Sequence, residues 1–258
     1  IEADVPPAFR VLDDQTAREL VAHARTRVLE QAGSGNEKLA AAVAHLVTKT
    51  SETRLQQIFD AALGNDRRKL ERFFSNLPDG TFSQAVRKAH GAGGRDTVER
   101  IAVEFSAEIK SEEAQLRAAI GWLSRGAKTD VKHGTILASF LACAPAQEAF
   151  VILRELFLKA DGEPREKLVT NKLMDADPAR FEYLMNLAAR YLAADERLRA
   201  AYAASLAEAA LVLADAVRRI YASEKRLRGV LDYDDLIAET LKLLKRREAA
   251  AWVLYKLD

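Results

Sequence analysis

Apolar residues recur at helical spacing along almost the whole chain. The first clear segment begins near Asp14, and Leu20, Ala24 and Val28 lie on one of its faces. Similar segments follow up to Arg228, and no alternation with a period of two appears before Leu231. A period near 3.6 residues is typical of amphipathic helices. The pattern therefore predicts an all-α fold, an irregular multi-helix bundle of roughly ten helices.

Turn and capping signals divide these segments. Residues 33–36 form a Gly-Ser-Gly-Asn turn, Ser51 and Thr97 precede helical patterns, and Pro145 separates two others. Serine and threonine favour the position before a helix, where their hydroxyls accept backbone N–H groups. A further helix starts at Pro178, and from Asp195 the pattern stays helical to about Arg228, which is long for a globular domain.

The composition fits this picture and limits the function. The chain has 258 residues, of which 49% are hydrophobic and 30% are charged, with only 6 prolines and 12 glycines. The net charge of +1 means that any nucleic-acid surface must be local. The single cysteine, Cys143, excludes an internal disulfide and a cysteine-based zinc site, and we expect it in the core. No apolar stretch approaches ~20 residues, so we expect a cytoplasmic protein without a membrane partner.

No catalytic motif emerges from the residues. The chain lacks the glycine-rich loop with lysine and serine or threonine that cradles nucleotide phosphates. Its 4 histidines show no spacing typical of a metal site, and paired acidic residues such as Glu112 and Glu113 are explained by helix starts. We therefore expect no catalytic residue, no metal ligand and no cofactor held by this chain.

The positive signal is the placement of basic residues on the long helix. Arg218 and Lys225 are seven positions apart, as are Arg219 and Arg226, so the four fall on one helical face. The opposite face carries Leu213, Val217, Ile220 and Leu227. Such a ridge can contact DNA phosphates, although an ordinary solvated face gives the same pattern. The ridge consists of Arg218, Arg219, Lys225 and Arg226.

Two other basic groups are weaker candidates. The first, in the loop before the long helix, is interleaved with acidic residues, and the second follows the motif described next. No interleaved aromatic residue suggests base stacking, so we expect phosphate contact without sequence reading. The two groups are Arg165, Lys167 and Lys172, and Lys242, Lys245, Arg246 and Arg247.

A short motif follows the long helix. Asp234 is predicted to cap a new helix, with Asp235 in its first turn and Leu236, Leu241 and Leu244 on its apolar side. The motif resembles the D-[FY]-D-D-L-I signature of UvrD/Rep-type, superfamily 1A DNA helicases, with tyrosine where phenylalanine is frequent. It comprises Asp232, Tyr233, Asp234, Asp235, Leu236 and Ile237.

Three more segments resemble the AddA branch of bacterial helicase–nucleases. They are residues 1–14 (IEADVPPAFRVLDD), 162–170 (GEPREKLVT) and 250–258 (AAWVLYKLD). In that family the four segments occur in this order between the two ATP-binding motifs. The resemblance implies a fragment of a larger enzyme, with residues 1–230 as the helical 1B accessory subdomain. Residues 231–258 would begin the return into the RecA-like motor domain.

The resemblance also implies a function. The larger enzyme would bind ATP and magnesium outside this chain, unwind DNA, cleave it with a nuclease domain, and act in double-strand-break repair beside an AddB-like nuclease subunit. This chain would supply a DNA-contacting accessory subdomain near the junction of single and double strands. The competing hypothesis is a helical module that docks the partner subunit without contacting DNA. A stand-alone helical enzyme is the third and weakest hypothesis, because no catalytic constellation is present.

Overall fold

The computed structural model describes residues 9–64, 66–78 and 81–245. Helices dominate these residues, so the predicted all-α fold is confirmed. The chain divides into two compact units, one of residues Ile1–Phe82 with Leu206–Asp258 and one of residues Ser83–Ser205. We call them the terminal unit and the central unit.

The terminal unit has a core built from both ends of the chain. Leu20, Leu46 and Phe59 come from its first helices, and Leu213 and Val217 from its last long one; all five are buried. Its elements are β1 (Arg10–Val11), α1 (Asp14–Gly33), α2 (Glu37–Lys49), α3 (Glu52–Leu63), α4 (Arg67–Ser75), the second part of α12 (Pro178–Arg228), β2 (Val230–Leu231) and α13 (Tyr233–Lys245).

The central unit packs around an aromatic cluster. The ring of Tyr191 lies 4.8 Å from Phe150, 5.2 Å from Phe157 and 5.8 Å from Phe105, measured between centroids. Cys143 packs against this core but is only half-buried. The elements are α5 (Phe82–Ala89), α6 (Val98–Lys110), α7 (Glu113–Leu123), α8 (Lys128–Ala142), α9 (Ala146–Ile152), α10 (Arg154–Phe157), α11 (Asn171–Ala176) and the first part of α12 (Pro178–Arg228).

Helix starts follow the capping residues in the sequence. The side chain of Ser51 accepts the backbone N–H of Arg54 at 3.3 Å, and that of Thr97 accepts the N–H of Arg100 at 3.1 Å. Each bond satisfies one donor that the first turn of a helix leaves without a partner. The predicted starts of α3 and α6 are therefore confirmed.

A two-stranded parallel pair joins the beginning of the described chain to the end of α12. Arg10 lies opposite Val230 and Val11 opposite Leu231, and the N–H of Leu12 donates to the carbonyl of Leu231 at 2.9 Å. Gly229 ends α12 with a φ of 61°, a conformation that glycine adopts without steric cost. This turn places β2 and then α13 back against the terminal unit.

Helix α12 has 51 residues and runs from Pro178 to Arg228, so the long helical pattern predicted to reach about Arg228 is confirmed. By length and composition it is apolar enough to cross a membrane. A third of its most apolar 18-residue stretch is buried in the protein. It supplies residues to both hydrophobic cores, such as Leu184 in the central unit and Leu213 in the terminal unit. The expectation of no membrane partner stays a prediction.

The predicted boundary after residue 230 does not coincide with the division into compact units. The described part of residues 231–258 ends at Lys245 and belongs to the terminal unit. Most of the opening segment and all of the closing segment that carry the family resemblance, residues 1–8 and 250–258, lie outside the described residues. Their predicted roles stay predictions.

Candidate nucleic-acid interface

The signature residues form the turn from β2 into α13. The side chain of Asp232 accepts the N–H of Asp235 at 2.9 Å, and the side chain of Asp235 accepts the N–H of Asp232 at 3.1 Å. This reciprocal pair is a capping box made of two aspartates. The helix cap is therefore Asp232, and the prediction that Asp234 caps the helix is wrong. Asp234 instead pairs with Arg68 at 2.5 Å on the surface.

The same two carboxylates hold two cations from other helices. Arg67 of α4 donates to Asp232 at 2.6 Å and to Asp235 at 2.5 Å. Lys225 of α12 donates to Asp232 at 2.7 Å and contacts Asp235 as well. The hydroxyl of Tyr221 donates to Asp232 at 3.1 Å. The signature turn thus joins α4, α12 and α13; we call these five residues the signature network.

Burial and charge together determine the protonation state of this network. Burial alone raises the pKa of Asp232, but the hydrogen bond from Lys225 and the charge of Arg67 outweigh it and hold the pKa well below its usual range. Burial alone lowers the pKa of Arg67, whereas Asp232 and Asp235 raise it above the ordinary value. Burial, followed by the charge of Asp232, raises the pKa of Tyr221. Asp232 and Arg67 therefore stay ionised at neutral pH, whereas Tyr221 stays protonated and neutral.

The predicted basic ridge on α12 is wrong at Lys225. This residue is only 3% exposed and its ammonium lies 4.8 Å from the ring of Tyr221. Leu227, predicted to face the core, is 80% exposed. The buried face runs in steps of four from Leu213 through Val217 and Tyr221 to Lys225, since residues four apart lie on the same side of a helix.

The other three residues of the ridge lie on a more accessible face. Arg218 and Arg219 both pair with Asp215, at 2.8 Å and 2.6 Å. The side chain of Arg219 is nevertheless 73% exposed. The guanidinium of Arg218 lies 5.6 Å from the ring of Phe74. Arg226 is exposed, and within the described part of the chain it makes no ion pair.

These three arginines line one groove of the terminal unit, with a volume of about 560 Å³. Val230 and Leu231 contribute apolar surface to it, and Phe9 contributes an aromatic ring. We call it the arginine groove. It brings together residues that are far apart in the sequence, and it combines cationic and apolar surface in one concave site.

The second basic candidate belongs to the central unit. Leu158 and Pro164 form an antiparallel bridge around a tight turn at Gly162, and the N–H of Arg165 donates to the carbonyl of Phe157 at 2.9 Å. The Nε of Arg165 donates to the carbonyl of Glu155 at 3.2 Å. Lys167 and Lys172 are exposed and make no ion pair with any described residue. Arg165 also makes no ion pair with a described residue, but its guanidinium is half-buried and bonded to the backbone, so the two lysines are the more accessible charges of the group.

Two buried residues of α8 anchor that loop. Asp130 accepts the N–H of Ala127 at 2.8 Å and both the N–H and the hydroxyl of Thr170, at 2.9 Å and 2.7 Å. The Nδ1 of His133 lies 2.6 Å from the carbonyl of Leu168. Burial lowers the pKa of His133, so its ring is neutral and Nδ1–H is the donor. These contacts fix residues 168–170 where the basic loop meets α11.

The apolar side of α13 is uncovered by the described residues. Tyr233 is 69% exposed, and Ile237, Leu241 and Leu244 follow it at helical spacing with about half of each side chain exposed. We call this row the α13 stripe. Leu241 and Leu244, predicted to lie on the apolar side of this helix, both belong to the stripe. Of the third basic group, Lys242 pairs with Glu239 at 2.6 Å, and Arg246 and Arg247 lie outside the described residues.

Sequence reasoning missed Arg67 and Phe9. The D-x-x-D spacing of Asp232 and Asp235 is a capping-box signal, and the four-residue steps ending at Lys225 mark the buried face. Nothing local to Arg67 reveals its pairing with Asp232, 165 positions away, and nothing local to Phe9 reveals the groove residues of α12.

Comparison of the chain with protein-family models, with curated proteins and with solved structures gives no significant match.

Proposed function

We propose that this chain is a helical accessory region of a UvrD/Rep-type DNA helicase of the AddA-like helicase–nuclease kind, and that its arginine groove contacts the DNA backbone. The single observation that carries this proposal is the convergence of Arg218, Arg219 and Arg226 on one open groove. Phosphate contacts by arginine position a protein on DNA without reading sequence. The family resemblance at the adjacent signature supplies the helicase context.

The signature network forms part of the wall of the arginine groove. Lys225 and Asp235 contribute both to the network and to the groove wall. Because Lys225 and Asp235 are paired inside the protein, the accessible positive charge of the groove comes from Arg226 and from the exposed side chain of Arg219, which shares Asp215 with Arg218. In the larger enzyme, ATP and magnesium would act at the motor domain, and this region would keep DNA aligned while the motor steps.

The test compares the DNA affinity of two double variants. One replaces two arginines of the groove, and the other replaces two exposed arginines elsewhere in the terminal unit. We expect Arg219→Gln with Arg226→Gln to weaken binding of a fluorescent duplex with a single-stranded tail, measured by anisotropy at low salt. The matched control is Arg27→Gln with Arg54→Gln, which removes the same charge from residues outside the groove. Equal loss in both pairs would mean general electrostatics and would contradict the groove as the site.

A second function has its own support. The α13 stripe is exposed, and Lys225, Arg218 and Arg219 are engaged in ion pairs within the chain. An exposed apolar row beside paired charges favours protein docking. In this alternative the stripe binds the AddB-like nuclease subunit. Ile237→Asp with Leu241→Asp would then abolish co-purification of the two subunits and leave DNA affinity unchanged.

A further inference from the structure

The terminal unit has a second concave site, which shares Arg219 with the arginine groove. Its volume is about 470 Å³, and its walls come from the end of α1, the start of α2, the end of α4 with the segment that follows it, and the middle of α12. Pockets of roughly 300–1,000 Å³ enclose small organic ligands. We call this site the phenylalanine pocket, after Phe74 and Phe82 in its wall.

The wall of the phenylalanine pocket is mainly apolar and carries two aromatic rings. The rings of Phe74 and Phe82 are 6.4 Å apart between centroids, inclined to each other by 50°, and both are only half-buried. Leu77, Val212 and Ile220 add half-buried aliphatic surface. Aromatic rings attract a further ring at centroid separations of roughly 4.5–7 Å. The pocket therefore suits a flat apolar group, and an aromatic ring above all.

Positive charge exceeds negative charge in the lining of this pocket. Lys38 is exposed and makes no ion pair with any described residue, and its ammonium lies 5.3 Å from the centre of the Phe82 ring. The side chain of Arg219 is 73% exposed. Asp215 is the one carboxylate among the described lining residues, and it already pairs with Arg218 and Arg219. An incoming anion thus meets two accessible cations and little repulsion.

Shape and charge together select a class of ligand. A cationic ligand would be repelled by Lys38 and Arg219. An aliphatic chain would be buried but would gain no ring contact with Phe74 and Phe82. The Nε of Arg219 pairs with Asp215, and the exposed end of its guanidinium is left to donate to a carboxylate, a charge-assisted bond that is stronger than one between neutral groups. A ring that bears a carboxylate satisfies both the apolar wall and the cations.

We infer that the phenylalanine pocket is a binding site for a small aromatic carboxylate. The ring of the ligand packs against Phe74 and Phe82, and its carboxylate pairs with Lys38 and Arg219. This inference goes beyond the proposed function. Its test contains no DNA, so the two can fail separately.

The test titrates the complete chain with naphthoate and with its neutral isostere naphthamide, by isothermal titration calorimetry. We expect naphthoate to bind once per chain and naphthamide to bind about fivefold more weakly or worse, because the amide lacks the charge that the two cations recognise. Lys38→Gln should weaken naphthoate binding about threefold and leave naphthamide binding unchanged. The matched control is Lys49→Gln, which removes the same charge from the other end of α2, outside the pocket.

Two further variants test where the probe binds. Ala216→Phe places a ring inside the pocket and should abolish naphthoate binding without removing a charge or a ring, and circular dichroism checks that this variant is folded. Ile237→Asp with Leu241→Asp changes the α13 stripe, which also exposes apolar surface, and should leave naphthoate binding unchanged. The inference is overturned by equal affinity for naphthoate and naphthamide, by binding that is lost in the stripe variant, or by no binding of naphthoate.

Discussion

The two units use buried polar residues in different ways. In the central unit, Asp130 and His133 bond to backbone groups and to one hydroxyl, so each fixes a loop at a defined place. In the terminal unit, Asp232 and Asp235 bond mainly to the charges of Arg67 and Lys225 from two other helices. The first arrangement stabilises local structure. The second ties together three helices beside an open groove, and this is where we place the function.

The largest expected effect follows from breaking the signature network. Asp232→Ala should lower the free energy of unfolding by about 3–5 kcal/mol, because it removes the carboxylate that the buried cations Arg67 and Lys225 share with the hydroxyl of Tyr221. Urea unfolding followed by circular dichroism measures this loss.

Asp234→Ala is the matched control within the same signature. Its pair with Arg68 is exposed, so its loss should cost at most about 1 kcal/mol. Equal costs for the two variants would show that the network is no more than a surface ion pair.

The corresponding change in the central unit is smaller. Asp130→Ala removes the acceptor of three donors from Ala127 and Thr170, and should cost about 3 kcal/mol in the free energy of unfolding. Asp175→Ala, an exposed carboxylate of the same unit, should change it by no more than about 0.5 kcal/mol. Limited proteolysis should also show faster cleavage at residues 159–170 in Asp130→Ala. A protected loop in that variant would contradict the anchoring role.

We expect the stabilising contributions of His133 in the central unit and of Asp232 in the terminal unit to be lost at different pH values. Burial lowers the pKa of His133 in the folded chain, so the unfolded chain binds its proton first. The stability from this residue is complete above the ordinary histidine pKa of 6.5 and decreases as the pH falls below it. The pKa of Asp232 is also lowered, from an ordinary 3.8, so the stability that this carboxylate contributes is complete above that value and is lost as the pH falls below it.

Urea unfolding at several pH values between 7.5 and 5 measures this difference. We expect the free energy of unfolding to decrease as the pH falls over that range. We expect His133→Gln to make this decrease per pH unit smaller. His90→Gln changes an exposed histidine of the same unit and should keep the wild-type slope. An unchanged slope in His133→Gln would show that protonation of this ring is not coupled to folding.

The sequence predicts local features of this molecule well and long-range pairing poorly. Helical periodicity and the caps at Ser51 and Thr97 lie within a few residues, so the all-α class and these helix starts could be predicted. The seven-residue spacing from Arg218 predicted Lys225 on the exposed face of α12. The four-residue spacing from Tyr221 instead places Lys225 on the buried face, as the structure has it. The pairing of β1 with β2 involves only two residues of each strand, too few to produce a period.

The candidate site was predictable only in part. Arg218, Arg219 and Arg226 could be selected because they share a helix and a charge. The role of Phe9 depends on the strand pair that places it at the end of α12, and the role of Arg67 depends on a contact across 165 positions. Such contacts result from tertiary packing and leave no periodic signal in the sequence.

The salt dependence of DNA binding tests the central claim most directly. Each phosphate neutralised on a single strand lowers the slope of log K against log salt by about 0.7, so three groove arginines predict a slope of about −2. Arg219→Gln with Arg226→Gln should bring it to about −0.7, whereas Arg27→Gln with Arg54→Gln should leave it near −2. Binding whose slope is the same in all three proteins, or no binding at low salt, would contradict a DNA-contacting arginine groove.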